Sequence, residues 1–122
     1  MKVQVTKDMA VDHLSKEQKN IANTILAAIA SFESSNFTHQ PEPISGGGCR
    51  AFYTPDEWVD RGEQYGTASA LIICHDGGDL MRYFSYDYCI YECIEEMNSA
   101  LEKIGYYAEQ CTSWYSAIYP ID

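Results

Sequence analysis

Basic residues are scarce over most of this chain. Residues 20–122 carry only Arg50, Arg61, Arg82 and Lys103 against fifteen Asp or Glu, whereas residues 1–19 carry four basic and three acidic side chains. A surface this one-sided repels phosphate backbones and anionic lipid headgroups and attracts basic protein surfaces, which excludes direct nucleic-acid or membrane binding as an expectation. Long apolar runs are missing too: no stretch approaches the ~20 residues of a membrane span. The opening residues, Met1-Lys2-Val3-Gln4-Val5-Thr6-Lys7-Asp8, hold no apolar core of a secretory signal. A cytoplasmic protein is therefore expected, and the sequon Asn36-Phe37-Thr38 carries no weight. A disulfide framework is lacking as well, because Cys49, Cys74, Cys89, Cys93 and Cys111 are odd in number and irregular in spacing. The triplet Gly46-Gly47-Gly48 is followed by neither Lys-Ser nor Lys-Thr and opens no helix, which excludes a phosphate-binding loop and leaves a flexible linker as the expectation.

What is present is a foldable single domain, residues 1–122. An apolar fraction of 46 %, with 13 % aromatic residues, excludes intrinsic disorder and is enough for one core. Val3 and Val5 alternate with polar residues, as in a short edge strand or ordered arm. Ser15 and Gln18 form a capping box ahead of Ile21, Ile25, Ile29 and Phe32, which predicts a helix over Ser15 to Glu33. The turn formers and prolines of residues 35–48 predict a loop. Cys49 to Tyr53 reads as a strand, and Thr54-Pro55-Asp56-Glu57 as the start of a short helix reaching Gln64 and stopped by Gly66. Thr67 to Cys74 is the most apolar run and predicts an interior strand, turning at Gly77-Gly78 into a hairpin with Leu80 to Phe84. Ile90, Cys93, Ile94, Met97, Leu101 and Ile104 make one stripe of a second long helix, Tyr86 to Ile104, ended by Gly105. Tyr106 to Tyr119 predicts one long strand or two short ones broken near Thr112-Ser113. The expected class is α+β: a three- or four-stranded, mainly antiparallel sheet with two long helices and one short helix.

Candidate chemistry is thin. Cys89 and Cys93 share a helical face, and Cys74, His75 or Cys111 would have to complete a zinc site; buried core thiols explain them better. Cys74-His75-Asp76 has the residue types of a thiol nucleophile and base, yet neighbours in a strand point to opposite faces, so His13 or His39 would have to be brought in. Asp76 and Asp79 flank two glycines without the remaining ligands of a calcium loop. No catalytic residue, cofactor or metal is assigned on these grounds. The ten tyrosines are suited to packing and to anchoring interfaces, and base stacking is disfavoured by the lack of surrounding cations.

The acidic surface is the remaining feature. Glu92, Glu95, Glu96 and Glu102 fall on the second long helix with no lysine opposite them at helical spacing, and Asp76 and Asp79 are weaker members of the same candidate partner-binding set. In size, charge and absence of a catalytic motif the chain resembles small acidic inhibitor proteins of phages and mobile elements, the anti-CRISPR and antirestriction types. That resemblance implies a non-enzymatic protein that occludes a basic, nucleic-acid-binding surface of a partner, some such proteins acting as nucleic-acid mimics. The alternative is a small enzyme or ligand-binding domain with a pocket near Cys74 and His75, and a third possibility is a homo-oligomer held by exposed tyrosines.

Overall fold

The helices start where local capping chemistry places them. Ser15 Oγ accepts from the Gln18 amide at 3.2 Å and Gln18 Oε1 from the Ser15 amide at 2.9 Å. Directly behind this box α1 runs Lys16–Asn36 in a computed structural model that describes residues 3–36 and 42–121. Ile21, Ala22, Ile25, Leu26, Ala28 and Ile29 form its buried face. Residues 37–41 of the expected loop, His39 among them, lie outside the described residues. After β1, Phe52–Tyr53, a second capping box opens α2, Pro55–Asp60: Thr54 Oγ1 accepts from Glu57 N and Glu57 Oε1 from Thr54 N. This helix stops before Gln64, because Gly62 takes the left-handed conformation, φ 82°, right behind the capping Arg61. Gly66 has a different task from the helix stop expected of it. A Cβ there would lie 2.9 Å from Ile72 Cδ1 and 3.1 Å from Ala117 Cβ, so its absence lets the loop close over the sheet.

The interior strand is shorter than its apolar run: β2 is Leu71–Cys74, and residues 67–70 form turns. It is fully buried and lies between β1 and the last strand. The expected hairpin partner is not a strand. Met81–Phe84 is a helical turn, α3, because β1 and the strand Tyr115–Pro120 occupy both edges of β2, and because Leu80, Tyr83 and Phe84 bury one face at helical spacing. A 3-10 turn, Tyr86–Tyr88, follows, then Cys89 in the left-handed region at φ 56°, so that α4 spans Tyr91–Lys103 instead of starting at Tyr86. Gly105, at φ 85°, ends it. The aromatic tail divides into β3, Tyr106–Gln110, and β4, Tyr115–Pro120, broken at Thr112-Ser113 as expected. Among the described residues the sheet has four strands, all antiparallel, in the order β1-β2-β4-β3. The α+β class with two long helices on a mainly antiparallel sheet is thus the class read from the sequence.

Alternation along the strands gives the sheet two unlike faces. Phe52, Leu71, Ile73 and Ile118 meet α1 and the Cys93, Met97 and Leu101 side of α4 in the main core. Ile72, Cys74, Tyr115 and Ala117 meet Trp58 of α2 in a second, smaller core on the other face.

The glycine triplet is a built turn where a flexible linker was expected. Asp8 Oδ2 accepts from the amides of Gly46 at 2.9 Å and Gly48 at 3.0 Å, and Thr6 Oγ1 donates to Asp8 Oδ1. Ser45 N donates to Asp79 Oδ2 and Asp79 N to the Ser45 carbonyl, each at 2.8 Å, which clamps this turn to the Asp76–Asp79 turn. The N-terminal arm is ordered by the same contact, with Val5 bridged to Ile44 in parallel.

Candidate functional site

The outward side of α4 follows from what its inward side buries. Cys93, Ile94, Met97 and Leu101 are buried, which at ~100° per residue leaves Tyr91, Glu95, Asn98 and Glu102 along one exposed stripe and Glu92, Glu96, Ser99 and Lys103 along the next. The four glutamates predicted for partner binding are therefore brought together on one solvent-facing side of one helix. None of them makes an ion pair among the described residues. The arginines are engaged elsewhere: Arg50 with Glu57, Arg61 with Glu63, and Arg82 with Glu33 and Asp79.

The two aspartates of the glycine turn differ. Asp76 is exposed, whereas the Asp79 carboxylate accepts from Ser45 N at 2.8 Å and lies 3.7 Å from Arg82, so Asp79 mainly holds the turn. Asp87 sits in the 3-10 turn and not on α4; Ser85 Oγ caps its amide and Gln110 Nε2 donates to its carboxylate.

Cys74 and His75 do not converge. Cys74 is 6 % exposed and packs in the outer core beside Trp58, where burial pushes its thiol up to about 12. His75 is 1 % exposed on the opposite face, its Nε2 hydrogen-bonded to Ser116 Oγ at 2.9 Å and its ring stacked on Phe84. Burial lowers the His75 imidazole to about 4, and its Nδ1 has no partner among the described residues. His13 is no closer to service as a base, because its Nε2 is bonded to the Phe52 carbonyl at 2.8 Å. No group of three or more His, Cys, Asp or Glu among the described residues could hold a metal ion.

The five thiols differ in access, and this gives a direct check of the chain's packing. Cys49 and Cys89 are exposed, Cys111 is half-buried, and Cys74 and Cys93 are buried with burial raising both thiols. An aromatic disulfide reagent at pH 8 should titrate two thiols rapidly, Cys111 slowly, and Cys74 and Cys93 only in denaturant. Four or five fast thiols would contradict the packing.

Two features escaped the sequence. The Asp8 carboxylate in the glycine turn could not be foreseen from spacing, since 38 residues separate Asp8 from Gly46. Tyr86, Tyr88 and Tyr91, each 50 % exposed or more, were legible only as members of the large tyrosine complement. No helix among the described residues is long and apolar enough to cross a membrane. No family model, curated protein or solved structure matches this chain.

Proposed function

We propose that this chain is a non-enzymatic cytoplasmic binding protein whose α4 surface covers a basic, nucleic-acid-binding surface of another protein. The observation that carries the proposal is unpaired charge held in one place: Glu92, Glu95, Glu96 and Glu102 stand exposed on a 13-residue helix with no ion pair among the described residues. Like charges at i, i+3 and i+4 each cost a few tenths of a kcal/mol, a cost that an opposing basic surface would reverse. The resemblance to small acidic inhibitors of phages and mobile elements supports the same role, inhibition of a host defence protein that works on nucleic acid. The rival pocket at Cys74 and His75 loses support because the two side chains face opposite sides of the sheet and both are buried.

The test is capture from host extract at low and high salt, with wild type and an E92K/E95K/E96K variant as bait. Wild type should retain a basic nucleic-acid-binding protein at low salt, lose it at high salt, and release nucleic acid from it. The variant should capture far less of it. Equal capture by both baits would assign the acidic face to solubility alone.

A further inference from the structure

Between Tyr83 and Glu102 the chain has no Lys or Arg, and within that stretch Tyr86, Tyr88 and Tyr91 expose 50 %, 50 % and 56 % of their surface. Three half-bare aromatic rings within six residues are unusual on a soluble surface and are the side chains that most often anchor interfaces. Carboxylates interleave with them: Asp87 lies between Tyr86 and Tyr88, Glu92 follows Tyr91, and Glu95 stands one turn beyond Tyr91 on the same stripe of α4.

The molecule shows what such a mixture holds. Arg50 lies with its guanidinium 4.3 Å from the centre of the Tyr53 ring while forming a two-pronged ion pair with Glu57 at 2.7 and 2.8 Å. Ring face and carboxylate together suit a planar guanidinium, which stacks and donates in a fork, better than they suit a compact, strongly hydrated ammonium. The segment from Tyr86 to Glu95 presents the same two components without the arginine.

We infer that Tyr86, Tyr88 and Tyr91, together with Asp87, Glu92 and Glu95, form a docking surface for arginine side chains on a basic segment of a partner protein. This rests on the acidic-face proposal and narrows it: the carboxylates attract any basic chain, and the rings select arginine over lysine. A second copy of this chain is a poorer occupant, because its net charge of −10 opposes self-association and seven of the eight basic residues are either in the first nineteen positions as lysine or already paired as arginine at Arg50, Arg61 and Arg82.

The experiment titrates labelled nine-residue poly-arginine and poly-lysine peptides against wild type, Y86A/Y88A/Y91A and E92Q/E95Q/E96Q at low salt, following anisotropy, with circular dichroism to verify the fold. Wild type should bind poly-arginine about three- to tenfold tighter than poly-lysine. The tyrosine variant should lose that preference with poly-lysine binding unchanged, and the glutamine variant should weaken both peptides. Equal affinity of wild type for the two peptides, or a preference that survives loss of the rings, would overturn the arginine assignment while leaving the acidic-face proposal standing. Failure of wild type to bind either peptide would overturn both. A doubled mass in sedimentation, abolished by the tyrosine substitutions, would give the surface to a second copy and overturn the assignment as well.

Discussion

Alanine at Gly47 or Gly78 is expected to cost about 3–5 kcal/mol of stability, enough to lower the melting temperature by about 10 °C or more. A Cβ on Gly47 would stand 2.4 Å from the Gly77 carbonyl oxygen, and one on Gly78 would stand 2.5 Å from the Gly46 carbonyl carbon. Both obstacles are backbone, and the Ser45–Asp79 hydrogen bonds prevent the two turns from moving apart. Gly47 also has φ 73°, where a side chain adds roughly 1–2 kcal/mol. Gly48 supplies the control. Its φ is 90° but a Cβ there would meet nothing within 4 Å, so Gly48→Ala should lose only about 1–2 kcal/mol. Urea melts of the three variants separate the close approach from the backbone conformation. Equal losses at all three positions would mean that the turns do not interlock.

The second large effect is on pH. His75 has a folded-state value near 4 because burial disfavours the imidazolium, whereas an unfolded His titrates near 6.5. The nearby Asp76 and Asp87 charges pull the other way without overcoming burial. With the folded value below the unfolded one, the unfolded state binds the extra proton. Stability is therefore full above pH 6.5 and is lost as pH falls toward 4, by about 3 kcal/mol in all and about 2 kcal/mol by pH 5. The Asp8 and Glu57 carboxylates act in a lower window. Burial opposes ionisation of Asp8 but the bonds from Thr6, Gly48 and Gly46 outweigh it, and the Arg50 hydrogen bonds hold Glu57 at about 2. Their contributions are present above the ordinary carboxylate range and disappear below it. Chemical denaturation at pH 7.5 and pH 5.0 should thus show a drop for wild type and a much smaller one for His75→Gln. An equal drop in both would place the sensitivity elsewhere.

What the sequence disclosed was what neighbouring residues decide. Ser15 with Gln18 and Thr54 with Glu57 satisfy each other's amides within one helical turn, so both helix starts were readable. The Leu71–Cys74 run could be assigned to the sheet interior because nothing in it tolerates water. The failures share another cause. Leu80, Tyr83 and Phe84 carry a helical period, yet the Asp76–Asp79 turn equally suits a hairpin, whose place beside β2 the distant β1 and β4 take instead. The glycine triplet resembled a linker because the carboxylate and the second turn that fix it lie about thirty to forty residues away in the chain. For the candidate site, the period of α4 placed Glu92, Glu95, Glu96 and Glu102 outward from sequence alone. The exposure of the tyrosines before it depended on the 3-10 turn and on Cys89 at φ 56°, which no periodicity announces.

The proposed function rests on the carboxylates of α4 steering a basic partner onto this chain. Its most direct test is the association rate of the captured partner with wild type and with E92K/E95K/E96K, measured over a series of ionic strengths. Steering by this face predicts a wild-type rate that falls steeply as salt rises. The variant should associate about tenfold or more slowly at low salt, with a shallow salt dependence and an unchanged fold. Equal rates and equal salt slopes for the two proteins would rule out steering by this face.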